Sequence, residues 1–190
     1  MCIRDSIDTT ALESVNASFQ LYKTDFFTLV DKQKEIGLDH DSGLYGTLLE
    51  AAHKVEALVQ AYPELNASLL TLRRYEKDFM LRKQEIYISR FTTSLSDFRG
   101  LLFLSDIEYT ILAQIQSSLK TYSNAFQDLA QNEREIGLTY NTGLKGLMSE
   151  NVQKNQLDFN NLQAQLDQSI NGQIKKANNI ATGIIIFSML

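Results

Sequence analysis

Glu76, Lys83 and Arg90 stand where a helix facing a core should carry leucine. Around them the apolar side chains fall at Leu65, Leu69, Leu72, Phe79 and Ile86, in alternating steps of three and four. That spacing lines one face of an α-helix over residues 65–91, and the three charges continue the same rhythm. Arg73 borders the face, whereas Arg74, Asp78 and Glu85 point roughly the other way, toward water. A charge on a core seam is costly unless it is paired or given a ligand. Two chemistries fit. Glu76 lies three residues after Arg73, and Arg74 four before Asp78, so pairs along the helix are available, and the stems of Lys83 and Arg90 can cover apolar surface. The alternative is a pocket for an anion, favoured by the concentration of six of the eighteen basic residues between Arg73 and Arg90.

Composition narrows the function further. A net charge of −5 over 190 residues, with no basic face longer than one helix, argues against a nucleic-acid partner. The single cysteine, Cys2, excludes an internal disulfide framework and a thiolate zinc site. His40 and His53 are too few for a histidine-rich metal centre. There is no Gly-rich phosphate loop, Ser-His-Asp constellation or H-E-x-x-H helix. We expect no catalytic activity, no cofactor and no metal.

One proline, no tryptophan and long apolar heptads predict an all-α chain. The first helix starts near Thr10, where Thr10 and Glu13 have capping-box spacing. Its stripe is Leu12, Val15, Phe19, Tyr22, Phe26, Leu29 and Ile36, broken once at Gln33, and Gly37 is a natural C-cap. A second helix opens at Gly43-Leu44-Tyr45-Gly46 with the stripe Leu44, Leu48, Ala51, Val55, Leu58, Tyr62. The phase runs on across Pro63, which predicts one long helix kinked at Tyr62-Pro63 rather than a new helix with proline in its first turn. After Phe91 the stripe becomes Phe91, Leu95, Phe98 and Leu102, stopping near Gly100. Ser105 and Glu108 form a second capping box before the stripe Leu112, Ile115, Leu119, Tyr122, Phe126, Leu129, Ile136.

These are the first helix's positions plus one hundred. Glu35-Ile36-Gly37-Leu38 recurs as Glu135-Ile136-Gly137-Leu138, and Gly43-Leu44-x-Gly46 as Gly143-Leu144-x-Gly146. Even the break recurs, Gln33 against Glu133. Over residues 22–50, eleven of twenty-nine positions are identical at this offset without a gap, which predicts an internal duplication of 100 residues. Gly37, Gly43, Gly46, Gly137, Gly143 and Gly146 are read as turn glycines. The last helix, from Gly143 to about Lys176, carries Leu144, Val152, Phe159, Leu162, Leu166, Ile170 and Ile174. Turns at 39–42 and 139–142 forbid one bundle of four very long helices, so two antiparallel bundles stacked end to end fit better. Residues 1–8 read as a leader outside the fold, 9–178 as the folded domain, and 179–190 as the start of a membrane span.

The duplicated E-I-G-L turn with G-L-x-G, the following Ala51-Ala52-His53-x-x-Glu56, and the run L-R-R-x-E-K-D-F-x-L-R from Leu72 to Arg82 carry a resemblance. They are similar to the helical bimodular (HBM) sensor domain, which lies outside the inner membrane in bacterial methyl-accepting chemotaxis receptors and some sensor histidine kinases. The likeness covers residues 12–177. It implies six helices, two long and four short, in two stacked four-helix bundles, each able to hold a small organic acid such as a citric-acid-cycle intermediate or acetate. It implies a homodimer in a periplasmic or extracellular position, anchored by a C-terminal span. A helix shift would cross the membrane to a cytoplasmic complex of the CheA/CheW type. Family members commonly continue G-L-x-G with x-L-R, and here Leu49 holds the arginine position. Arginine is also absent from Asp5 to Leu72 and after Arg134. The ligand-holding candidates that remain are Arg73, Lys77, Arg82 and His53, with Glu76 on the seam and Tyr45 near the turn.

Overall fold

The computed structural model describes the backbone of residues 9–188 and the side chains of residues 12–184. Among them every regular element is a helix: α1 (Thr9–Ile36), α2 (Gly43–Val59), α3 (Pro63–Arg82), α4 (Glu85–Leu104), α5 (Tyr109–Ile136) and α6 (Gly143–Ser188). The leader expected at residues 1–8 lies outside the described residues, as do the side chains of the apolar end beyond Ile184. The last helix does not stop near Lys176 but runs 46 residues. No helix among the described residues is long and apolar enough to cross a membrane.

The chain divides into two compact units, Phe26–Leu147 and the pair Met1–Asp25 with Met148–Leu190. In the first unit α2, α3, α4 and α5 share one core. Leu48, Val55 and Val59 of α2 meet Leu65, Leu69, Leu72 and Phe79 of α3, Phe91, Leu95, Phe98 and Leu102 of α4, and Ile115, Leu119, Tyr122, Phe126 and Leu129 of α5. Phe91 stacks on Phe126 with ring centroids 3.8 Å apart, and Phe79 meets the Phe126 edge at 5.6 Å. Burial of each such ring contributes on the order of 2 kcal/mol, which makes these contacts the centre of the unit's stability.

Three expectations fail here, each for a local reason. The predicted kink at Tyr62-Pro63 is a full break: Pro63 occupies the first position of α3 and Tyr62 is extended, at φ −116° and ψ 94°. Proline has no N–H to continue a helix, and its ring drives the preceding residue out of the helical region. Tyr45, at the start of α2, and Lys83, just past the end of α3, bond to the same carboxylate, so α3 retraces α2. The predicted helix over 65–91 is also broken, because Lys83 takes a left-handed conformation at φ 50° and Gln84 an extended one. The two apolar stripes therefore belong to an antiparallel pair, and Ile86 is half-exposed rather than buried. Finally, Ser105 and Glu108 form no capping box. The Ser105 hydroxyl donates back to the Leu101 carbonyl at 2.7 Å, and Glu108 alone caps α5, accepting from the Thr110 N–H at 3.1 Å.

The other unit pairs the first part of α1 with α6. Ser14 donates to Asp158 and Asn151 to Asp25, each at 2.8 Å. Ser18 and the stripe residue Leu162 are buried, but most of the predicted stripes in this unit are not: Leu12 and Phe19 of α1, and Val152, Phe159, Ile170 and Ile174 of α6, are 43–59% exposed. The α1 stripe thus reaches a core only at its C-terminal end, where Ile36 is fully buried and Leu29 packs beside it, whereas the equivalent α5 stripe is buried almost throughout.

Candidate functional site

Two carboxylates are buried in the unit Phe26–Leu147, and the candidate residues gather around them. Glu76, on the α3 face where leucine would be ordinary, is fully buried. One of its oxygens accepts from the Tyr122 hydroxyl of α5 at 2.6 Å and from the Arg73 guanidinium at 2.6 Å. The Lys77 ammonium lies 3.0 Å from the other. Burial, and then the Glu76 charge beside it, push the Tyr122 phenol far above its ordinary range. Two cations share one carboxylate here, so the cluster carries a surplus positive charge. Lys77 is half-exposed and Arg73 less so, and both lie at the edge of the buried group.

The second carboxylate is Glu133 of α5. Its Oε1 accepts from the Lys83 ammonium and from the Tyr45 hydroxyl at 3.1 Å, and Lys83 also lies 3.3 Å from that hydroxyl. Burial first, then the Glu133 charge, push the Tyr45 phenol up to about 12. The next residue, Arg134, grips Glu85 at the start of α4 with two bonds of 2.6 and 2.7 Å. That grip lowers the Glu85 carboxyl below its ordinary value and raises the Arg134 guanidinium.

Both glycine corners lie beside this group. Gly37 and Gly137 have φ of 119° and 116°, and Gly43 and Gly143 have φ of 55° and 58°, values that L side chains rarely adopt. At all four a Cβ would also come within 3.0 Å of corner backbone. The Ser42 hydroxyl takes the Leu38 N–H at 3.1 Å, and the Thr142 hydroxyl takes the Thr139 N–H at 3.1 Å. Lys32 ties the ends of α1 and α5, reaching Asn132 at 3.2 Å and Glu135 at 2.8 Å.

The structure therefore brings Arg73, Lys77 and Glu76 together and puts Tyr45 in a different group. Arg82 pairs with Asp78 at 3.3 Å on an exposed face, taking the partner that the sequence offered to Arg74. Arg74 instead donates to the Tyr75 hydroxyl at 3.0 Å. Arg90 is exposed, lying 5.5 Å from the Tyr87 ring, and His53 is exposed on α2. A cleft of about 510 Å³ opens near the first corner, lined by Leu44, Thr47, Asp128, Gln131 and Asn132 with Glu35, and none of the six candidate ligand holders lines it. Sequence reasoning missed Tyr122 as the partner of Glu76, and Glu133 as a hub. The signal for Glu133 was present: it is the polar break in an otherwise apolar stripe.

Compared with protein-family models, with curated proteins and with solved structures, the chain matches none.

Proposed function

We propose that the chain is the extracytoplasmic ligand-sensing domain of a bacterial membrane-anchored receptor of the chemotaxis type, reading a small organic acid and passing a helix shift through the inner membrane. The same domain on a sensor histidine kinase is the near alternative. Methylation heptads or a phosphorylatable histidine helix elsewhere in the full-length protein separate the two. The observation that carries the reading is the Arg73–Glu76–Lys77 cluster, with two cations on one buried carboxylate at a helix seam. A ligand carboxylate arriving at its edge would neutralise the surplus charge with charge-assisted bonds, for which a guanidinium is well shaped. Glu76 would keep Tyr122 and Lys77 while Arg73 turned to the ligand. Arg73 and Tyr122 bond to the same Glu76 oxygen, so this exchange changes the fit of α3 against α5, and packed helices answer such changes by sliding.

The duplicated corners support an origin by repetition of one helical hairpin. The exposed stripes of α1 and α6 support a homodimer, in which two copies of that unit would complete the second of two stacked four-helix bundles. The same exposure also favours a second reading, a helical adaptor that binds protein and no small molecule.

Isothermal titration with a panel of mono-, di- and tricarboxylic acids decides between them. The sensing reading expects heat with at least one acid and a loss of roughly tenfold or more in affinity in Arg73→Ala, since a charge-assisted bond is worth about 1.5–3 kcal/mol. No heat with any acid leaves the adaptor reading, whereas heat with an affinity unchanged in the variant removes Arg73 from the ligand site.

A further inference from the structure

Three reversals of the chain converge on one oxygen. The first corner contributes Tyr45, two residues into α2. The α3–α4 hinge contributes Lys83 itself, the one non-glycine residue with positive φ among those described. The second corner contributes Glu133, whose carboxylate accepts from both and whose backbone carbonyl accepts the Gly137 N–H at 2.9 Å. Glu133 is buried and the Lys83 side chain three-quarters buried, so water is a poor substitute for either partner. Lysine in the left-handed region is strained, because its Cβ crowds the following carbonyl oxygen. No glycine or asparagine supplies that turn, and the ammonium bond to Glu133 is what offsets the strain.

We propose that the Glu133 carboxylate couples the α3–α4 hinge to both glycine corners, so that a displacement of α3 against α5 reaches the starts of α2 and α6. The two bonds share the acceptor Oε1. If Lys83 withdraws, Tyr45 keeps an acceptor whose charge is no longer neutralised, and the Glu133 side chain must reorient. Because the Glu133 carbonyl also closes the last turn of α5 before Gly137, that reorientation is felt at the second corner. Arg134–Glu85, one residue along, fixes the start of α4 to the same turn of α5, so hinge and corner move as a pair. The proposal needs no continuous wire through the core, only one shared group at which three bends meet.

The use of this junction in signalling rests on the sensing reading, but its test needs no ligand. Amide hydrogen exchange is measured on the whole 190-residue chain carrying Lys83→Gly, Glu133→Gln or both. Glycine adopts the left-handed turn freely, so Lys83→Gly removes the ammonium and leaves the bend in place. The reporters are the corner N–H groups of Gly46, Gly137 and Gly146, bonded to Ser42, Glu133 and Thr142. Either single variant should speed exchange at corner amides by about tenfold. The double variant should add little, because both substitutions break the same group. Arg82→Met, which breaks the exposed pair with Asp78 beside the hinge, should leave the corners unchanged. Acceleration confined to the hinge, or spread evenly over every helix, overturns the coupling, and so do single effects that simply add. Failure of every acid to bind would remove the sensing reading and leave this result standing.

Discussion

At the first corner Gln33 turns inward and gives its amide to the Gly37 carbonyl at 3.2 Å, while Tyr45 reaches away to Glu133. At the second corner the matching carbonyl, that of Gly137, takes the Lys145 ammonium at 3.1 Å, and it is Glu133 that reaches away. Positions 33 and 133, and 45 and 145, correspond at the offset of one hundred, and their tasks at the two corners are opposite. The comparison teaches how two corners of one backbone shape can use their side chains differently. Glycine conformation fixes the backbone, which leaves one part-buried carbonyl in each corner needing one donor. Two nearby positions can supply it, four residues before or eight after. Whichever does so frees the other for a contact with a different part of the fold. The neighbours differ accordingly: Leu38 is 74% exposed, whereas Leu138 packs against the core.

If the backbone is what the corners share, the largest effect should be equal on both sides. Gly43→Ala and Gly143→Ala each place a Cβ within 3.0 Å of backbone at a left-handed φ. Each should cost roughly 3–5 kcal/mol of unfolding free energy, the strain plus the displacement of neighbouring backbone. Urea unfolding of the two variants measures this. A difference of more than about 2 kcal/mol between them would mean that the corners are not energetic equals.

If the side chains are what differs, the next effect should be unequal. Glu133→Ala strands the Lys83 ammonium in a largely buried place and removes the acceptor of Tyr45, a loss of about 2–4 kcal/mol. Gln33→Ala removes one neutral hydrogen bond at a part-buried site, about 0.5–1 kcal/mol. Similar losses in the two variants would end the argument that Glu133 is the hub. The same denaturation experiment reads both.

This contrast also marks how far the sequence could be read. Helix α1 was legible as far as Gly37 because a heptad and a terminal glycine agree on one answer, although it begins at Thr9 and so holds Thr10, read as its cap, inside the helix. The corners were legible because their glycines, at matching positions in the sequence, take the positive φ that such turns need. The hinge at Lys83 was not legible. Its left-handed turn carries no glycine or asparagine, and its stabilising bond comes from a residue fifty positions away. The break at Pro63 was half legible: proline announced a discontinuity, but an unbroken hydrophobic phase is produced equally by a kinked rod and by a hairpin whose two faces meet the same core. For the Glu76 group, periodicity located a charge on the seam and the spacing offered Arg73 as its partner. Tyr122 could not be anticipated, since a buried phenol and a buried phenylalanine give the same stripe.

The smallest effect separates the corners by pH. Tyr45 ionises near 10.0 in an unfolded chain and at about 12 in the fold, because burial and the Glu133 charge disfavour the phenolate. The fold therefore retains a proton that the unfolded chain releases. Stability from this group is whole below pH 10 and is lost as pH climbs toward 12. Tyr122 shifts in the same direction, so alkaline unfolding alone does not isolate the corner. The difference between the wild type and Tyr45→Phe does. The variant lacks the hydroxyl bond and should be less stable by about 1 kcal/mol near neutrality. It also lacks the titration, so the gap should close as pH rises from about 10 to 12. A second-corner variant, Lys145→Met, retains Tyr45 and with it the full alkaline slope. Were the gap between wild type and Tyr45→Phe to stay constant across that range, the phenol at the first corner would not be held by the Glu133 carboxylate, and the contrast between the corners would lose its electrostatic half.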